Sequence, residues 1–349
     1  MMGGGRERRL PLSLEQVHSW RETGSVVVHD LLEPDLVEAV RERALALYGT
    51  NNNVEDFGAS STEAIFPAKK DENAVINEIP MHPKIISAVA QLLDTTIDGL
   101  RLSQCELWQK RGKEVNVKAD ENHMNGVDEV EDTSSNNDQR IHVDCFNHYL
   151  TFPSEWYKPE AVAMIVYYSD SESCMGCTAV VPREGVDDPA YNPSDIVSGP
   201  HPFLLTPGGR ADMVWLNARA KVEATLRKSH PEVAAFRATH LYPREKQMEY
   251  KRGTILFYRL DTWHRGTPVK VGAVRYAHNL VFKKAGADHI TSWNHGAARA
   301  MYSLNQTMEK IIANRPEAVV LGYPARESGY WDQRIKECVE ARFEFLRES

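Results

Sequence analysis

The sequence predicts a mainly β protein with α additions, arranged as a sandwich or jelly roll, and three observations carry that prediction. From about Leu100 the apolar pattern breaks into runs that suit strands, at residues 100–109, 141–151, 161–168, 177–181, 254–258 and 273–282. Most of these runs are separated by Gly, Pro, Asp or Asn. Strands and helices do not alternate regularly, which argues against a doubly wound parallel sheet.

The elements follow in order. Residues 24–30 (GSVVVHD) form a β-branched run and predict a strand, and residues 34–48 predict a helix through Leu36, Val37, Val40, Ala44 and Leu45. Residues 82–93 predict a second amphipathic helix, with Pro83 in its first turn where a missing N–H is harmless. Within residues 185–251, a long insertion among the strands, helical stretches appear at 218–228 and 231–239. The tail, residues 292–349, reads as helical, with amphipathic segments at 297–313 and 330–346. Residues 1–20 read as a mobile leader, since no apolar run follows the early glycines and arginines. No repeat or Pro/Gly-rich linker divides the chain, so residues 1–349 are expected to form one domain with its core in 24–283.

Composition narrows the function classes. Among 349 residues, 42% are hydrophobic and 26% charged, which suits a globular chain with a sizeable core. No apolar run approaches the roughly 18 residues of a membrane helix. With 41 basic against 49 acidic residues, the chain lacks the positive surface that nucleic acid requires. Five scattered cysteines do not read as a disulfide framework, so a reducing, cytoplasmic setting is expected. Residues 113–139 hold eight acids against two lysines, a net of 2 − 8 = −6. This segment suits a solvated loop, or a lid beside a site, because it leads into the run at 141.

That run carries the first chemical signal. His142 and Asp144 are two residues apart, so a strand would project both to one face, where they could share a divalent metal. Alone, the pair is weak: His230-Pro231-Glu232 is a comparable match and reads better as the start of a helix. Its company raises it. His264 follows 120 residues after Asp144, in Thr262-Trp-His-Arg-Gly-Thr-Pro, and is the third-ligand candidate. Arg275 follows eleven residues later on the next strand, where its guanidinium could grip a carboxylate bidentately, with Lys110 and Arg265 as the next cations to consider. Asn147 and His148 suit pocket, core or turn roles alike. One of Tyr167 and Tyr168 must face inward, and Trp263 reads as core. Cys174 and Cys177 form a single CxxC without a second pair, which favours a structural turn over a metal knuckle.

With these residues in view, the sequence resembles the Fe(II)/2-oxoglutarate dioxygenases, and among them the phytanoyl-CoA dioxygenase-like group. The resemblance runs from GSVVVHDLLEPDLVEAV through His142-Val-Asp144 and Gly176-Cys-Thr-Ala-Val-Val-Pro-Arg to RGTILFYRLDTWHRGTPVKVGAVR. It implies a double-stranded β-helix (a cupin-like jelly roll), iron held by His142, Asp144 and His264, and the distal carboxylate of 2-oxoglutarate held by Arg275. It also implies O2 as co-substrate, release of succinate and CO2, and oxidation of a small molecule. Hydroxylation is favoured over halogenation, since Asp144 keeps the carboxylate that halogenating members replace. Arg183 stands where the group often has Gly-Ser-His, and the insertions at 113–139 and 185–251 fall where substrate contacts are usually made. The substrate of the group's name-giving enzyme is therefore not carried over. A zinc-dependent hydrolase using the same His/Asp/His set, or a non-catalytic jelly roll binding a small molecule, are the alternatives.

Overall fold

The computed structural model describes residues 10–49, 64, 66, 68, 71–96, 99–112, 138–144, 155–191, 219–284, 287 and 302–303. The first element is α1 (Leu14–Thr23), a helix closed at both ends. The Ser13 hydroxyl accepts from the Gln16 N–H at 3.1 Å, while Gln16 Oε1 accepts from the Ser13 N–H at 2.8 Å. Gly24 ends the helix at φ 92°, and a Cβ there would stand 2.3 Å from Thr262 Oγ1. Leu12 and Trp20 are buried. The expected leader over residues 1–20 is therefore corrected for residues 10–20: a capping box and one buried tryptophan fix a segment whose composition reads as loose.

After β1 (Ser25–Val28) come α2 (Pro34–Tyr48), α3 (Ala74–Glu78) and α4 (Pro83–Leu93). Proline opens both α2 and α4, as their sequences predict. The strands β2 (Leu100–Arg111), β3 (Ala161–Tyr167), β5 (Ile255–Arg259) and β7 (Val274–Lys284) join β1 and β8 (Tyr302–Ser303) in an antiparallel sheet of order β1-β5-β3-β7-β2-β8. Helix was expected at 297–313. Residues 302–303 are extended instead and pair with Arg101 and Leu102, giving part of the outer edge of β2 a partner.

The second sheet is small. After α5 (Ser171–Cys174), β4 (Thr178–Val180) pairs with β6 (His264–Gly266). Single bridges extend this pair on both sides, His142 to His264 and Lys246 to Val180. The chain thus visits the large sheet at β2, β3, β5 and β7, and the small one at 142, β4, 246 and β6, which is the jelly-roll arrangement. Lys246 shows that residues 185–251 are not wholly an insertion, because their end supplies a strand position. Before it, α6 (Arg219–Ser229), α7 (Pro231–Phe236) and a π-helical turn at Arg237–Leu241 follow one another. Pro231 and Glu232 lie in the first turn of α7, as expected, with His230 at the cap.

Alternation along the large sheet divides the core. Val162, Met164, Val166, Phe257, Leu280 and Phe282 pack with α1, α2 and α4 through Trp20, Val40, Ile86, Val89 and Leu93. Ala163, Ile165, Tyr167, Leu256, Tyr258, Ala277 and Val281 face the other way, toward the small sheet. Among the described residues no helix is long and apolar enough to cross a membrane. The expected acidic segment up to 137, Asn147, His148 and the segment 330–346 lie outside the described residues.

Candidate functional site

The site forms where residue 142 meets β6. His142 and His264 exchange both backbone hydrogen bonds at 2.8 Å, so they are direct cross-strand neighbours. The Gln139 N–H donates to the Gly266 carbonyl, so the step from 139 to 142 faces the shorter step from 266 to 264. One extra residue makes this a bulge, a feature that re-aims side chains beside sites. Asp144 N–H then donates to the Leu260 carbonyl at 2.9 Å, anchoring the far end of the segment.

The result is a cluster of three ligand-type side chains. His142 Nε2 lies 3.6 Å from Asp144 Oδ1, and His264 Nε2 lies 3.2 Å from Asp144 Oδ2. The imidazole centroids are 4.4 Å apart, and all three ligand atoms fall within 4.8 Å of one another. Donors at about 2.0–2.2 Å from one ion stand about 3.0–3.5 Å apart, so the spacing suits a divalent metal. Each histidine has its Nδ1 2.9 Å from a carbonyl two residues back, Arg140 for His142 and Thr262 for His264. A carbonyl only accepts, so Nδ1 carries the hydrogen and Nε2 presents its lone pair to the cluster. Burial, with His264 nearby, pulls His142 down to about 3, which keeps it neutral at pH 7 as a ligand must be. Side-chain exposure rises from 5% at His264 to 16% at His142 and 20% at Asp144, so the cluster opens on the side of Asp144. The Tyr258 ring lies 4.6 Å from that of His264 and walls the closed side.

Arg275 and Lys110 stand deeper in the barrel. They are direct partners in the β2–β7 register, and both are buried. Arg275 donates through Nη1 to the Gly176 carbonyl, while its Nε has no acceptor. Burial and the facing Arg275 push the Lys110 ammonium well below its usual value. Neither cation has a carboxylate partner among the described residues, and like charges directly opposed in a sheet repel. Gly266 leaves room for this arrangement, since a Cβ there would come within 2.6 Å of Lys110 Nζ. Arg265, the other fallback cation, points away: it is paired with Glu245 at 2.6 Å and with Asp138.

The remaining expectations sort as follows. Trp263 is core, its indole N–H donating to the Ala190 carbonyl. Tyr167 faces the barrel under Arg275, and Tyr168 faces the helices beside His278. Cys174 and Cys177 are free, buried thiols in a turn whose Gly176 carbonyl seats Arg275, so the structural reading of that turn holds and gains a purpose. Arg183 stacks over the Trp156 ring at 4.6 Å. Sequence reading missed Arg140 and Tyr258. Both lie at strand-alternate positions, one two residues before His142 and the other two after Leu256, and that spacing was the available signal.

No protein-family model and no curated protein matches the chain. Among solved structures, it is similar to the non-heme alpha-ketoglutarate-dependent epimerase SnoN from nogalamycin biosynthesis, at 16% identity and TM-score 0.46, covering 78% of this chain and 82% of that one. It is similar to the alpha-ketoglutarate-dependent carbocyclase SnoK from the same biosynthesis, at 15% identity and TM-score 0.47, covering 78% and 85%. EctD from S. alaskensis, solved with 2-oxoglutarate and 5-hydroxyectoine, matches at 14% identity and TM-score 0.47, covering 82% and 80%.

Proposed function

We propose that the chain is an Fe(II)- and 2-oxoglutarate-dependent oxygenase that oxidises, most directly by hydroxylation, a small molecule, and releases succinate and CO2. The observation that carries this reading is the pairing of an open His142/Asp144/His264 cluster with two buried cations, Lys110 and Arg275, that have no carboxylate partner among the described residues. A zinc hydrolase has no need of the second feature, whereas a dicarboxylate reaching from the metal into the barrel satisfies both.

In this reading His142, Asp144 and His264 would hold the iron. Iron supplies the activation of O2, at the expense of electrons from 2-oxoglutarate. The chain's own work is placement. The Nδ1–H bonds to Arg140 and Thr262 fix both rings. Arg275, seated by Gly176, and Lys110 receive the distal carboxylate, which cancels their mutual repulsion. Tyr167, Leu256, Tyr258 and Val281 line the inner face of the large sheet and keep water from it. Substrate enters on the Asp144 side, where exposure is greatest.

The test is succinate formation by the full chain given Fe(II), 2-oxoglutarate and O2. Iron-dependent succinate that disappears when Zn(II) replaces Fe(II) is the expected result. Ester or amide hydrolysis supported by Zn(II), without consumption of 2-oxoglutarate, would sink the reading.

A further inference from the structure

The cations around the cluster can be matched to acids one by one. Arg237 pairs with Glu223 at 2.7 Å, and Arg219 with Asp138 at 3.2 Å. Arg265 pairs with Glu245 and Asp138, and Arg259 with Asp261 at 2.6 Å. Lys110 and Arg275 are left over, and the proposed co-substrate accounts for them. Arg140 is left over as well. It has no carboxylate partner among the described residues, and its Nε is buried without an acceptor.

Its position is informative. Arg140 sits in the bulge two residues before His142, and its carbonyl orients that ring. Arg140, His142 and Asp144 stand at alternate positions along one extended segment. Beside this segment stands Tyr242, whose hydroxyl accepts from the Ile141 N–H at 3.4 Å and donates at 2.7 Å to Glu223, which also binds Arg237. Glu223 is therefore engaged twice, by Arg237 and by Tyr242. A partly buried guanidinium with an unmet donor, next to the exposed edge of the cluster, is the arrangement that receives an oxyanion.

We propose that Arg140 binds an oxyanion of the prime substrate, a carboxylate or a phosphate, and so holds the substrate beside Asp144. The inference deepens the oxygenase reading and rests on it for the identity of the reaction centre. It runs against the net −6 of residues 113–139, a charge that by itself would favour neutral or cationic partners. Asp138, the last acid of that segment, is already paired with Arg219 and Arg265.

The experiment loads the full chain with Mn(II), saturates it with the inert co-substrate analogue N-oxalylglycine, and reads Mn(II)-induced proton relaxation of small probes. The probes are benzoate, hippurate and phenyl phosphate, with benzamide and hippuramide as neutral matches. At least one anion should be relaxed and bind more than tenfold tighter than its neutral match, and Arg140→Gln should remove that preference. Arg140→Lys should restore part of it, which also controls for folding. Preference for phenyl phosphate over the carboxylates assigns a phosphate, and the reverse assigns a carboxylate. The proposal is overturned if wild type shows no anion preference, if Arg140→Gln leaves the preference intact, or if Arg140→Gln weakens N-oxalylglycine itself. Failure of wild type to bind Mn(II) defeats the oxygenase reading separately. Calorimetry of the same probes on the metal-free chain then decides the role of Arg140 by the same criteria.

Discussion

A histidine stands on each side of the large sheet, and the two make an informative pair. His142, beyond its barrel face, and His278, on its helix-covered face, are both pulled down to about 3 by burial. Around His278 both ring nitrogens are occupied by local groups, Tyr168 Oη at 3.2 Å and Cys105 Sγ at 3.5 Å. Around His142 only Nδ1 is used within its own strand, and Nε2 looks toward Asp144 and His264. A depressed pKa is thus common to structure and site. What separates them is a nitrogen left for something else.

The largest effects come from the barrel side. His142→Ala, Asp144→Ala and His264→Ala should each lower iron-dependent succinate formation by more than about a hundredfold, with thermal midpoints near wild type. Turnover equal to wild type in any one of them removes that residue from the ligand set. Arg275→Ala should raise the apparent 2-oxoglutarate constant more than about tenfold. Lys110→Met should weaken 2-oxoglutarate too, yet raise the melting temperature of the protein without it, because it relieves two opposed buried cations. A lower melting temperature would show that Lys110 is internally paired.

The helix side predicts loss of stability instead. His278→Ala removes a fully buried ring and strands the Tyr168 hydroxyl, for about 2–4 kcal/mol by urea unfolding, with the 2-oxoglutarate constant unchanged. The pH dependence has a definite sign. Between about 3 and 6.5, His278 is neutral when folded and protonated when unfolded, so the unfolded chain binds more protons. Its stabilisation is complete above pH 6.5 and is lost as pH falls toward 3. His278→Gln should flatten the stability profile across that window by up to about one proton. Superimposable profiles would mean that His278 is not held neutral.

This contrast also explains what was legible in the sequence. The metal-type cluster was readable because its residues obey strand alternation and lie at recognisable spacings, as do the strands carrying Arg275 and His264. Lys110 was readable only as a spare cation, since its pairing with Arg275 depends on the β2–β7 register, which no local pattern encodes. Arg140 was overlooked because its significance is the absence of an acid, and that depends on where Glu223, Asp138 and Glu245 fall in space. The pairing of Tyr302 with Leu102 was misread as helix because a two-residue strand leaves little periodicity to detect.

The smallest expected effect concerns the segment first read as a leader. Its order on the helix-covered face depends on two local devices, the Ser13 capping box and Gly24. Ser13→Ala leaves the Gln16 N–H without its side-chain acceptor, and it should cost about 1 kcal/mol by urea unfolding. Gly24→Ala adds a Cβ against Thr262 Oγ1 at a positive φ, and it should cost about 1–3 kcal/mol. Neither residue lies in the barrel, so the 2-oxoglutarate constant should hold in Ser13→Ala. Gly24 differs, because the Thr262 hydroxyl donates to its carbonyl while the Thr262 carbonyl faces His264 Nδ1. A shift at Gly24 therefore reaches the metal-type cluster through one residue. Weaker iron binding in Gly24→Ala but not in Ser13→Ala would show that the helix-covered face helps to aim His264, whereas equal binding in both would leave the two faces independent.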